Sequence, residues 1–231
     1  FLSHIREVDS IIEVVRCFEN SNIIHVDGVI NPTNDIEIIE LELIYADLET
    51  VMKRRERVKK QLKADKSLIK EDLVLEKIEK TLNEGKSARS LELIEEEKEI
   101  IKSLSLLTLK PLMYVANVDE ETIQNPESNE NFKKVKQYAE SQNAKVIPIC
   151  VKLEEEISSI ESEDERKEFL EMMGLDKSGL DKLIIASYDI LGLMSYLTVR
   201  RNRSKSMDYK KRNKSSKSGI KDTFRYRKRV Y

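Results

Sequence analysis

The chain has 231 residues, of which 36% are charged and 39% hydrophobic, with no Trp and few Gly and Pro. That balance suits a helix-rich protein of one or two compact units and excludes a membrane-embedded one, since no run approaches the roughly 18 apolar residues a spanning helix needs. The start lacks the basic-then-apolar pattern of a signal peptide, so a cytoplasmic location is expected. The net charge of −2 hides an asymmetry: residues 200–231 hold 14 Lys/Arg and 2 Asp, and residues 1–199 hold 27 Lys/Arg against 41 Asp/Glu. An acidic body ends in a basic tail.

Residues 10–18 read as an apolar strand through Ile11, Ile12, Val14, Val15, Cys17 and Phe18, interrupted by Glu13 and Arg16. A run this apolar predicts a strand buried on both faces. Residues 112–118 and 144–151 repeat the pattern with helix-like segments between, which argues for a parallel α/β sheet. Cys17 and Cys150 each lie within such a run and are expected as small core residues. His4 and His25 form no zinc-ligand spacing with them.

A long charged stretch separates the first two strands. Ile38, Leu41, Tyr45, Leu48, Met52, Val58 and Leu62 follow helical spacings, and Leu68, Leu75, Ile78 and Leu82 form a second stripe after a short polar link at residues 63–67. Two antiparallel helices forming a coiled-coil hairpin account for both stripes, because a helix charged on most sides has little to bury against a sheet. Residues 87–107 predict a helix returning to the sheet, residues 154–173 an acidic helix, and residues 180–196 a last one.

Two short motifs invite a chemical reading. Gly85-Lys86-Ser87 ends like a phosphate-binding loop, but Lys80 stands where that loop needs glycine and a helix precedes it, so Gly85 reads as a helix C-cap. Asn117-Val118-Asp119-Glu120 lies at the carboxyl end of a predicted strand, where open α/β sheets bind ligands. An Asn amide there can tie loops together and face a purine, and a carboxylate can accept its N–H groups. Compared with the Asn-Lys-x-Asp of GTPases, Glu120 is longer and need not grip guanine with both oxygens. By spacing alone, a solvated helix cap is the competing reading. Lys152, after Cys150 and Val151 at the end of the third strand, could approach the same base.

Through Phe1-Leu2, Ile5-Arg6-Glu7-Val8-Asp9, Val14-Val15-Arg16-Cys17-Phe18-Glu19, His25-Val26-Asp27-Gly28, Pro32, Asp35-Ile36-Glu37, Ala46-Asp47-Leu48-Glu49, Leu107-Thr108-Leu109-Lys110-Pro111 and Ala116-Asn117-Val118, across residues 1 to about 199, the chain resembles the YchF-type, Obg-like family of P-loop NTPases. The resemblance implies a partial Ras-like α/β domain at 1–37 and 87–199, an inserted helical coiled coil at 38–86, hydrolysis of ATP or GTP with Mg²⁺, and a ribosomal or RNA partner. Nothing indicates a stable oligomer. The family's base motif is Asn-x-x-Glu, so Asn117, Val118 and Glu120 inherit base recognition, and Cys150, Val151 and Lys152 correspond to the second base-contacting loop.

The family's phosphate loop, magnesium ligand and switch segments precede the residue matching Phe1. This chain alone is therefore expected to hold nucleotide weakly and not to hydrolyse it. The family continues after Val199 with a TGS domain, whereas residues 200–231 are expected to be a disordered basic tail. Residues 205–210 can be encoded AAA AGC ATG GAC TAT AAA, which reads Lys-Ala-Trp-Thr-Ile after a one-base shift and matches the family's continuation. The tail is thus expected to be a frameshifted remnant of that domain, a reading that sequencing the gene around the Arg200 codon tests. The competing readings are functional: RNA binding by the tail, with its clustered Lys/Arg interleaved with Tyr209, Phe224, Tyr226 and Tyr231, or a non-enzymatic protein- or RNA-docking role for the helical hairpin.

Overall fold

The computed structural model describes residues 2–20, 30–200 and 203–210. The His25-Val26-Asp27-Gly28 string and residues 211–231 lie outside them. A short helix α1 (Leu2–Glu7) leads into β1 (Ile11–Arg16), which pairs in parallel with β2 (Leu112–Asn117), itself parallel to β3 (Lys145–Ile149). The order β1-β2-β3 makes β2 central, and its residues 112–116 are all buried. Pro148, which can donate no ladder hydrogen bond, sits on the outer strand β3, where that loss is tolerated.

One face of the sheet carries Val15, Cys17, Leu112, Tyr114, Ala116, Val118 and Cys150 into a core closed by α5 (Glu130–Ser141) through Phe132, Val135 and Ala139. The expectation that both cysteines are core residues holds: both thiols are free and buried, and burial pushes Cys17 up to about 12. The opposite face departs from expectation at β1, where Ile12 is 39% and Val14 63% exposed. Among the described residues β1 pairs on one side only, and an apolar run specifies hydrophobic character on both faces but not the elements that cover each.

Between β1 and β2 run α2 (Pro32–Gln61) and α3 (Ile69–Asn83). Asn31 caps α2 by accepting from Asn34 N–H, with Pro32 at the first helical position. The first turns of α2 belong to the sheet core: Ile36 is buried there, and Tyr138 on α5 donates to Glu40 at 2.7 Å. Farther along, α2 packs antiparallel against α3. Ile44, Val51 and Val58, spaced by seven, meet Leu75, Ile78 and Leu82 in a second core. Arg54 pairs with Glu71, and Arg55, largely buried, reaches Asp72, Glu76 and Glu79.

The stripe expected on α3 is the buried one, and on α2 Val58 is buried with Leu48 and Leu62 packed against the same core, but the other expected positions are displaced. Leu41, Tyr45 and Met52 are exposed, and Ile44, Asp47 and Val51 take the inward positions. Apolar residues occur at so many α2 positions that two neighbouring stripes were available, and the facing helix selected between them. Gly85 ends α3 at φ +71°, with Gly85 N–H donating to Leu82 C=O and Lys86 N–H to Thr81 C=O. That is the C-cap expected for it, and Lys86 pairs with Glu84 rather than forming a phosphate loop.

The single helix expected over 87–107 is shorter: α4 (Glu95–Ile101) stands between 3-10 turns. The acidic segment divides into α6 (Val151–Ser159) and α7 (Glu163–Met172), with Ser162 capping the second by accepting from Glu165 N–H. α8 (Gly179–Ile190) is anchored by Glu154 of α6, whose oxygens accept from Gly179 N–H at 2.6 Å and Leu180 N–H at 3.1 Å. A Cβ at Gly179 would lie 2.9 Å from both Glu154 Oε1 and Ile149 Cγ2. Gly179→Ala is therefore expected to cost about 1–3 kcal/mol in a thermal or urea melt. An unchanged melt would mean that Glu154 swings aside freely.

Contacts divide the chain into a unit of residues 1–187 and a second of residues 188–231. The second contains an antiparallel hairpin of β4 (Leu193–Arg200) and β5 (Arg203–Lys210), in register from Leu193↔Lys210 to Arg200↔Arg203. Two expectations are corrected here. The last helix stops at Ile190 instead of 196, because Gly192 adopts φ +62° and β4 follows. Residues 203–210 are ordered into a strand, whereas disorder was expected from residue 200. The basic composition argued against burial, but the antiparallel ladder of a local hairpin pairs the backbone of residues 203–210.

Candidate functional site

Parallel pairing brings the carboxyl ends of β1, β2 and β3 to one edge of the sheet, and the loops that follow them meet there. The ladder continues past the strands: Cys17 N–H donates to Asn117 C=O at 2.8 Å, and Val118 N–H to Ile149 C=O at 2.9 Å. Asn117 Oδ1 accepts from Val151 N–H at 3.1 Å. Cys150 supplies no side-chain cap to α6, so Asn117 satisfies a helix-start donor from the neighbouring strand. The loop tie expected of this asparagine is thus present.

The remaining sequence-derived residues divide by exposure. Val118 (2% exposed) and Cys150 (3%) turn their side chains into the core, so only their main-chain groups face the loops. Val151 and Lys152 are exposed on the first turn of α6. Glu120 and Lys152 form an ion pair across the two loops, Lys152 Nζ lying 2.7 Å from Glu120 Oε1. Contact with the carboxylate raises the lysine pKa above its ordinary value. Asp119, between the motif residues, is engaged locally: its Oδ1 accepts from Thr122 N–H at 2.9 Å and from the Thr122 hydroxyl at 2.6 Å.

Two further residues shape this edge and were not singled out from sequence. Asn129 donates through Nδ2 to Cys17 C=O at 2.9 Å while its Oδ1 caps α5 by accepting from Phe132 N–H. Arg16 stacks over the Phe18 ring at 4.8 Å and donates to Phe18 and Asn20 carbonyls, fixing the segment after β1. An arginine interrupting an apolar strand near its end was the available signal for the second. For Asn129 the signal was its place before a helical period, which indicates a cap but not a cross-strand tie.

The edge offers main-chain groups, an amide and an ion pair, which suit a planar heterocycle carrying donors and acceptors. Among the described residues no group of three or more His, Cys, Asp or Glu could hold a metal ion.

No family model matches the chain. It is 48% identical over 212 residues to the ribosome-binding ATPase YchF of Bacillus subtilis, covering 91% of this chain and 58% of that protein. It is 44% identical over 199 residues to the protein of the same name from Escherichia coli O157:H7, covering 86% of this chain and 54% of the relative. The solved structure of the Schizosaccharomyces pombe YchF GTPase superposes with a TM-score of 0.80 at 34% identity, over 91% of this chain and 57% of that one. The chain thus spans little more than half the length of the relatives it matches.

Proposed function

This chain is homologous to the YchF ribosome-binding ATPases, and from that premise we propose that residues 117–120 and 150–152 form the base-recognising end of a purine nucleotide site. The observation that carries the reading is the Asn117–Val151 tie at the carboxyl ends of two parallel strands, where such sheets bind ligands. Asn117 fixes the spacing of the two loops, the main-chain groups of Val118, Cys150 and Val151 face the base plane, and Glu120 accepts from its N–H groups. In the whole protein, ATP or GTP with Mg²⁺ is hydrolysed by a phosphate-binding region, in a cytoplasmic protein that acts with the ribosome.

In this reading residues 1–37 and 87–199 form the NTPase domain, and residues 38–86 form a coiled-coil insertion supported by the seven-residue spacing of Ile44, Val51 and Val58. Residues 200–231 are a remnant of a TGS domain. Base contacts without phosphate contacts give affinity of about millimolar order. Residue-resolved NMR titration of the chain with AMP is expected to perturb residues 117–120 and 150–152, and Asn117→Ala to abolish those shifts. A titration that leaves these residues unmoved removes the reading.

One observation favours a second reading, in which the helical hairpin is a docking arm and no nucleotide binds. Near the turn joining α2 and α3, Arg57, Lys59, Lys60, Lys63 and Lys66 are all exposed, which suits phosphate groups of RNA. Binding of RNA that weakens steeply with salt, together with an unresponsive 117–120 loop, would select it.

A further inference from the structure

α2 carries two apolar stripes, and the hairpin uses one of them. Ile44, Val51 and Val58 meet α3, while Ile38, Leu41, Tyr45 and Met52 are 45%, 41%, 65% and 48% exposed on the side of the helix turned away. With the partly buried Leu48 they stand at intervals of three, four, three and four residues, the repeat of a coiled-coil seam. The open stripe runs for about 21 Å along α2, so it is a continuous strip rather than scattered surface residues.

The charges of α2 indicate what covers that strip. Residues 35–49 hold six acidic and no basic side chains, and residues 53–60 hold six basic and one acidic. Glu37, Glu42 and Glu49 are exposed in the first half, and Lys53, Arg57, Lys59 and Lys60 in the second. Two parallel copies of α2 would set acid against acid and base against base. Two antiparallel copies set each acidic half beside the basic half of the other, and their helix dipoles oppose as well. Glu49, close to the midpoint, is already paired with Lys53 of its own chain, which limits repulsion between the copies there. In antiparallel layering Leu41 meets Met52 of the second copy and Tyr45 meets its Leu48, each pair occurring twice about a two-fold axis between residues 46 and 47. A shallow groove between Glu49, Glu56 and Lys59 borders Met52 and seats Leu41 of the second copy.

We infer that this strip is a self-association surface, through which two copies of the chain pair antiparallel along residues 38–52 of α2. The contact is a weak one, in keeping with a sequence that indicates no stable oligomer. Four apolar layers make a small interface, below about 1,200 Å², and pairing is expected at about 10 µM to 1 mM protein. Nucleotide binding at residues 117–120 is not required for it.

Sedimentation equilibrium of the intact chain across that range should show the mean mass rising from monomer toward dimer. Leu41→Glu combined with Tyr45→Glu should hold the chain monomeric throughout. Both side chains are exposed, and an unchanged circular dichroism melt shows that the double variant still folds. Orientation is read by disulfide trapping, since Cys17 and Cys150 are buried and wild type should give no linked dimer on mild oxidation. A mixture of Leu41→Cys and Met52→Cys chains should give the mixed 41–52 disulfide well beyond its statistical share over either self-linked species. Self-linked dimers in excess would mean parallel pairing and overturn the inference. Self-association that survives the double glutamate variant overturns it too, as does a wild-type chain that stays monomeric at about 1 mM, which would leave the strip to a partner other than this chain.

Discussion

Replacing Asp47 by alanine is expected to lower the unfolding free energy by about 3–5 kcal/mol, the largest loss from any single polar side chain of the body. Asp47 is fully buried on α2, and its carboxylate accepts from Leu107 N–H at 3.0 Å, Thr108 N–H at 2.7 Å and the Thr108 hydroxyl at 2.8 Å. Arg6 of α1 completes the shell at 3.1 Å and also donates to Ala46 C=O and the Thr50 hydroxyl. Three segments distant in sequence therefore converge on one carboxylate: the start of the chain, the root of the helical hairpin and the turn before β2.

Alanine would strand two backbone donors, the Thr108 hydroxyl and a guanidinium that Asp47 now satisfies. Asp47→Asn should lose less, since it keeps one acceptor oxygen, and the order wild type, Asn, Ala in urea midpoints is the diagnostic result. A loss below about 1 kcal/mol for alanine would show that the joint relaxes or hydrates, and that these segments are held by apolar packing alone.

Glu13→Gln is expected to stabilise the protein, and to do so only above the acidic range. Glu13 lies on the covered face of β1, directly opposite Tyr114 in the register, and its pKa is pushed up to about 7 by burial first, then by the Glu40 and Asp35 charges, with Arg89 opposing them. The folded state therefore holds this proton between about pH 4.5 and 7 while the unfolded chain releases it. Stability attributable to this group falls as pH rises through that window, and above pH 7 the buried charge costs about 3 kcal/mol. Glutamine removes the titration, so variant and wild type should differ little at pH 5 and by about 2–3 kcal/mol in favour of the variant at pH 8. A difference independent of pH would place the effect in packing rather than in charge.

These two groups show what a sequence pattern leaves open. Asp47 sits at a position that helical spacing assigns to an apolar residue, and nothing local reveals that the backbone of residues 107 and 108, sixty positions away, supplies its donors. Glu13 reads as an interruption in a strand, whereas its consequence arises from Glu40 on α2 and from the core that excludes water. The displaced stripe on α2 has the same origin, because periodicity identifies faces and the neighbouring helix chooses one.

The candidate site was legible to a greater degree. Asn117 and Glu120 were identifiable because one ends an apolar strand and the other follows it closely, and a strand's end is fixed by a local change in composition. That Lys152 reaches Glu120, that Asn129 ties α5 to the segment after β1, and that Val118 and Cys150 offer only backbone all depend on strand register.

By itself the sequence determined the parallel α/β character, the helical hairpin between the first two strands, the Gly85 cap and the placement of Asn117 and Glu120 at the end of the second strand, since each follows from short-range spacing or a single residue's backbone preference. Only the tertiary structure decided which face of β1 is covered, which stripe of α2 is buried, where the last helix gives way to a hairpin, and which carboxylate meets which cation. Those outcomes depend on what lies opposite each element, and contacts between residues far apart in the chain leave no periodic trace within either segment.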